Sequence, residues 1–450
     1  MIPSKSVSPC VVLCAVLFPA FVQVMAAKTL CVNPAGSHSC YVKIQQAVNA
    51  ASNNDLIKVG PGTYAEGVVI GKPLSLIGAG PDRSVIDAAS LPNGILLDGY
   101  NNPGLSGVTV AGFTVKDALY EGILVLNTAN ATIRDNYVLN NDLEGPVFGS
   151  GPACNGQPAY ETDESGDCGG AIHLLGAVDS VVSGNFITGN ADGILISDDS
   201  GESHGNVLTR NLVIDNPLEC GIVLASHPPV GSTPPYYSKH HGVDHNTVSE
   251  NVVSRNGVQV GGSGAGLFSD GEGPGRVSQN LILQNQLTQN GIPGVSLHSH
   301  VGPSFGAPAD NMDGNMILGN YIAGNGADTD DTATPGTAGI NINSGGGGSP
   351  IHGTVISGNI IRDEQVDIAI NVPSAVDAHM NDLLGGQVGV ANICAFDMAS
   401  CAGSIDVTRN FWGCPAGPGS KGCATASGSD VLYTPWLTAP VPGEKAGAGR

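Results

Sequence analysis

Residues 181–196, VVSGNFITGNADGILI, and residues 207–224, VLTRNLVIDNPLECGIVL, decide the fold. Overlaid, their landmarks recur in order: Asn185 returns at Asn211, Asn190 at Asn216, and Gly193-Ile194-Leu195-Ile196 at Gly221-Ile222-Val223-Leu224. A step of 26 residues from Asn185 to Asn211 belongs to stacked supersecondary units, not to a single wrapped core. Each unit reads as three short strands joined by polar bends. Asn suits such bends because it tolerates left-handed backbone and bonds nearby main chain. Stacked Asn side chains can also bond one another along the pile. The economical fold is a parallel β-solenoid with one coil per repeat.

The composition agrees. The chain has 450 residues, 65 of them Gly, with 12% charged, 5% aromatic and 41% hydrophobic. A globular chain this long would ordinarily divide into domains, whereas a solenoid grows lengthwise because each coil touches only its neighbours. The formal net charge of −22 argues against nucleic acid and anionic membrane surfaces as partners. A polyanionic substrate would need bridging cations.

Residues 1–26 read as a secretory signal, with Lys5, an apolar run from Cys10 to Met25 and a Val24-Met25-Ala26 cleavage site. The expected location is secreted or periplasmic, with no membrane segment after signal removal. Four Cys pairs, Cys31 with Cys40, Cys154 with Cys168, Cys394 with Cys401 and Cys414 with Cys423, are spaced to close short loops in an oxidising compartment. Cys220 is left over and reads as a buried thiol. In residues 41–52, Ile44, Ala47, Val48 and Ala51 share one helical face. That helix would lid the first coil, whose apolar core and strand edges would otherwise be open.

Further residues carry a family resemblance. The run IQQAVNAASNNDLIKVGPGTYAEGVVIGKPLSLIGAG (44–80) resembles the opening of right-handed parallel β-helix proteins of the pectin-lyase-like superfamily. The later Asn and Gly-Ile units resemble their repeats, including those of the periplasmic NosD-type group. Asn410-Phe411-Trp412-Gly413 and Tyr433-Thr434-Pro435-Trp436-Leu437 resemble the closing segment of many such chains. The resemblance spans residues 28–437. It implies an all-β right-handed parallel β-helix of roughly ten coils over residues 27–437, a capping helix, and a flexible tail over 438–450. At about 4.8 Å per coil the rod would be about 50 Å long. The superfamily holds lyases, hydrolases, esterases, epimerases and noncatalytic proteins, so the fold alone names no reaction.

The ladder is expected through Asn136, Asn185, Asn211, Asn251, Asn280, Asn320, Asn359 and Asn410. Long inserts flank the Gly-Ile strands on both sides, which predicts loop walls along one sheet. Period-two alternation turns Ile194, Ile196, Ile222, Leu224, Val295, Leu297, Ile340 and Ile342 inward. It turns His173, Leu195, Val223, Ser296 and Asn341 outward. Asp198, Asp199, His227, Asp270, His298 and His300 follow these strands and complete the candidate catalytic set, since nearby His and Asp can exchange protons or hold a metal.

Asp198 and Asp199 with His204 echo the paired Asp and downstream His of β-helix polygalacturonases, with compressed spacing and without the matching Arg-Ile-Lys segment. Arg is scarce near the predicted groove, which disfavours an uncalcified uronate lyase. Asp310, Asp313, Asp328, Asp330 and Asp331 offer hard oxygen ligands suited to Ca2+, as does the acidic run around Glu161. Two function classes follow. One is a monomeric secreted protein that binds a polysaccharide and processes it as lyase, hydrolase or epimerase. The other is a noncatalytic envelope or matrix protein binding a glycan or protein, with NosD-like metal-site maturation as a variant.

Overall fold

The computed structural model describes residues 27–142, 160–161, 169–227, 241–269, 274–299, 309–328, 334–344, 349–372, 374–393 and 405–442. The signal segment, the Cys154/Cys168 and Cys394/Cys401 pairs, Asp270, His300, Asp330 and Asp331 lie outside the described residues.

One coil spends its residues as the repeat demands. Val181–Ser183 joins a 14-stranded sheet, Phe186–Thr188 an 11-stranded sheet and Ile194–Ser197 a 12-stranded sheet. The next coil lays Val207–Thr209, Leu212–Ile214 and Ile222–Ser226 on them in parallel register, with Ile194 opposite Ile222 and Ile196 opposite Leu224. Short apolar strands a fixed step apart can only stack in this way, because each strand leaves both edges open for the coils above and below. A small three-stranded sheet, Ser203–His204, Val243–Asp244 and Val277–Ser278, extends one corner.

The inward residues form the main core: Ile172, Leu174, Ile194, Ile196, Ile222, Leu224, Val295, Leu297, Ile340 and Ile342 all belong to it. The expected lid is the helix Ile44–Ala50, which buries Ile44, Ala47 and Val48. Its first amides have no cap of their own and are taken up by Glu66, at 2.8 Å from Ile44 N and 3.1 Å from Gln45 N. At the other end Trp412 is buried, with Tyr433 edge-on at 6.3 Å. The Cys31–Cys40 and Cys414–Cys423 disulfides are present. Cys220 is buried, its sulfur accepting the Ser263 N–H at 3.0 Å.

Two readings of the bends need correcting. The left-handed residue is the one before the ladder Asn: Asp135, Arg210, Glu250 and Arg409 have φ of 55°, 54°, 56° and 59°. The Asn itself is there to bond its neighbours. Asn136 donates to Asn185 Oδ1 through its backbone N–H at 3.0 Å and its amide at 3.1 Å, and Asn185 repeats this with Asn211. The ladder then runs through Asn251, Asn285, Asn320, Asn359, Asn381 and Asn410. Asn280, expected in this column, belongs to a separate ladder with Asn206, Asn246 and Asn315. A third column runs Asn141, Asn190, Asn216, Asn256, Asn290, Asn325.

The outer face of the 12-stranded sheet also departs from expectation. His173, Leu195, Val223, Ser296 and Asn341 turn away from the main core, yet all are buried. Leu195, Val223, Ala225 and Cys220 make a second apolar cluster, with Phe268 against it. A parallel sheet covered on both faces is the usual arrangement, and period-two alternation reports which way a side chain points, not what lies above it.

Candidate functional site

The outer face and flanking corners of this sheet gather the ionisable groups. On the upstream corner Glu121 immediately precedes the strand Ile123–Leu126 by one glycine. His173, at the second position of Ile172–Leu175, pairs through that strand's neighbour: its Nδ1 lies 3.4 Å from Glu121 Oε1 and its Nε2 2.8 Å from Ser197 Oγ. Glu161 joins them, so that one ligand-capable atom from each of Glu121, Glu161 and His173 lies within 4.8 Å of the others. Beside them Tyr100, 45% exposed, packs against Tyr160 with ring centroids 5.6 Å apart. Burial first, then the charges of Glu161 and Glu121, push the Tyr160 phenol well up.

On the downstream corner the chain leaves Ile194–Ser197 into Asp198 and Asp199, both buried. Asp198 accepts from Ser226 Oγ at 2.9 Å and from the His227 N–H at 2.8 Å, and its Oδ2 lies 3.0 Å from His241 Nδ1. Asp199 Oδ1 lies 3.1 Å from His227 Nδ1. Burial raises Asp198 despite the His241 contact. Burial on its own disfavours the His241 imidazolium, but the bond and charge of Asp198 outweigh it and raise that group too. The pair as a unit therefore holds its proton to higher pH than either group alone in water.

Farther along, His298 Nε2 lies 3.2 Å from Asn343 Nδ2, and Asn371 donates to Asn343 Oδ1 at 3.2 Å. Asp310 accepts from Ser269 Oγ at 2.6 Å, from the Gly275 N–H at 2.7 Å and from Ser299 Oγ. Asp313 accepts the His352 N–H at 2.6 Å, and Asp328 accepts from Asn341 Nδ2 at 3.1 Å. Asp310, Asp313 and Asp328 share no three-residue ligand group among the described residues.

The structure thus brings His173, Asp198, Asp199, His227 and His298 onto one side of the rod. Sequence reasoning passed over Glu121, His241 and Ser226. A signal for Glu121 was present: it stands just before a Gly-Ile strand, as Asp192 and Cys220 do.

Residues 88–234 match the family model described as the right handed beta helix region. The chain has the right-handed parallel β-helix fold. Among solved structures this β-helix is similar to XylC in complex with xylose, at 9% identity and TM-score 0.51 over 89% of this chain and 86% of that one. It is also similar to the catalytic unit of a GH87 alpha-1,3-glucanase from Streptomyces thermodiastaticus, at 15% identity and TM-score 0.47 over 88% of this chain and 66% of that one. The A-module of the mannuronan C-5 epimerase AlgE4 from Azotobacter vinelandii matches at 18% identity and TM-score 0.37, over 73% of this chain and 91% of that one. No curated protein sequence matches. Among the described residues no helix is long and apolar enough to cross a membrane.

Proposed function

We propose that this β-helix is a secreted or periplasmic protein that binds a neutral or calcium-bridged polysaccharide on the outer side of the 12-stranded sheet and processes it by acid–base chemistry. The observation that carries this reading is the placement of three His–carboxylate pairs, Glu121–His173, Asp199–His227 and Asp198–His241, along one side of the rod. A lyase, hydrolase or epimerase needs a base to take a proton and an acid to return one, and a His held by a carboxylate serves both roles near neutral pH. Tyr100 and Tyr160 offer an aromatic face next to these groups, the kind of apolar lining with few convergent polar groups that binds small rings. The two disulfides support an oxidising compartment. The net charge of −22 favours a neutral glycan or one bridged by calcium.

The burial of all three pairs favours a second reading, in which they stabilise a noncatalytic glycan-binding rod. Incubation with plant, algal and bacterial polysaccharides, with and without Ca2+, separates the two when reducing ends and unsaturated products are followed. Turnover is expected to fall about 100-fold or more in Asp198→Asn and His241→Gln. Glycan retention without products would establish the binding rod, and neither retention nor products on any glycan would overturn both.

A further inference from the structure

The upstream corner adds Glu161 to the Glu121–His173 pair and so holds a donor set that a cation could also use. Glu121, Glu161 and His173 are 0%, 6% and 0% exposed, and their ligand-capable atoms converge within 4.8 Å. Glu121 Oε1 and His173 Nδ1 are 3.4 Å apart, about the separation of two donors that share one tetrahedral cation at 2.0–2.1 Å from each. The other ring nitrogen is already engaged, 2.8 Å from Ser197 Oγ. Such an outer hydrogen bond sets the tautomer of a metal-bound imidazole and leaves the Nδ1 lone pair for the ion. Gly169, at φ +106°, passes so close to Glu121 that a Cβ would stand 2.8 Å from Oε1. Only a residue without a side chain lets the backbone close over the carboxylate in that conformation.

A second observation concerns the residue next to Glu121 in the chain. Tyr120 is 5% exposed and its hydroxyl has no hydrogen-bond partner among the described residues. A buried hydroxyl without a partner is unfavourable, and a water held by a cation at the neighbouring Glu121 would supply one.

We propose that Glu121, Glu161 and His173 bind one divalent transition-metal ion. Zn2+ or Mn2+ fits this set. An imidazole with two carboxylates suits these ions, whereas Ca2+ prefers six to eight oxygens.

The test uses the untagged full chain, stripped with chelator and dialysed separately against Zn2+, Mn2+ and Ca2+, with bound metal counted by plasma mass spectrometry. About one equivalent of Zn2+ or Mn2+ is expected, with far less Ca2+. Occupancy should drop at least tenfold in Glu161→Gln and His173→Gln, each checked for folding by circular dichroism. Co2+ loading should give a visible absorption band in the native chain that changes in His173→Gln. No uptake by the native chain, a preference for Ca2+, or uptake undiminished in both folded variants would overturn the site. If neither variant folds, native stoichiometry and the Co2+ spectrum decide it. Metal uptake without glycan turnover upholds this site against the glycan reading; turnover by a chain that takes up no metal does the reverse.

Discussion

Two asparagine columns climb neighbouring corners of the rod with the same geometry and end differently. At the bend between the 14- and 11-stranded sheets the column is Asn at every described rung from Asn136 to Asn410. At the next corner it runs from Asn141 to Asn325 and then meets Glu364, whose Oε1 accepts from the Asn325 N–H at 2.8 Å and its amide at 3.1 Å. An Asn rung both accepts from one neighbour and donates onward; a carboxylate can only accept. Burial therefore raises Glu364 from 4.5 to about 7. Asp367, on the same coil, is raised well above the usual carboxylate range, by burial and then by Glu364. A ladder is stable because each rung is donor and acceptor at once, and an acid rung keeps that property only while it holds a proton.

Breaking the intact column should have the largest effect. Asn211→Ala removes the acceptor of the Asn185 N–H and amide and the donor to Val182 O at 3.0 Å. At about 1–3 kcal/mol per stranded buried group, the loss should be roughly 4 kcal/mol, read from the guanidinium midpoint. Placing an acid inside that column sharpens the comparison. Asn251→Asp keeps the acceptor for Asn211 but sets an oxygen against Asn285 Oδ1 and Leu208 O. It should cost about 2 kcal/mol at pH 7 and less at pH 4.

Repairing the other column should work in reverse. The folded value for Glu364 lies above its unfolded one, so the native state binds the proton between pH 4.5 and about 7. Its contribution is present below that window and is lost as pH rises through it. Glu364→Gln should gain about 1–2 kcal/mol at pH 8, with the difference closing by pH 4, as followed by unfolding at a series of pH values. The smallest effect belongs to the ion pairs outside the two bends, Arg210–Glu250 at 2.9 Å and Arg255–Asp215 at 2.6 Å, all of whose side chains are 46–72% exposed. Arg210→Ala or Arg255→Ala should cost at most about 1 kcal/mol, and nothing measurable in about 1 M salt.

The candidate site was legible only in part. His173, Asp198, Asp199, His227 and His298 could be placed on one side because they sit on or just past Gly-Ile strands whose alternation is visible. Their partners could not. Glu121 meets His173 across 52 residues and His241 meets Asp198 across 43, separations set by insert lengths and not by any local pattern. Asn280 shows the same weakness within the repeat: its spacing from Asn251 resembles a coil, yet Asn285 is the residue in register.

From the amino-acid order alone came the parallel solenoid, the three strands per coil, the inward aliphatic columns, the helical lid and the existence of asparagine ladders. These depend on short-range periodicity, and one coil's hydrogen bonding forces the next into register. The folded chain alone decided which Asn shares a column, that the outward face is buried, and that Glu121, Glu161 and His173 meet. Those outcomes depend on how far each insert carries the chain before it returns to the stack, and loop length leaves its endpoints unspecified until the sheets assemble.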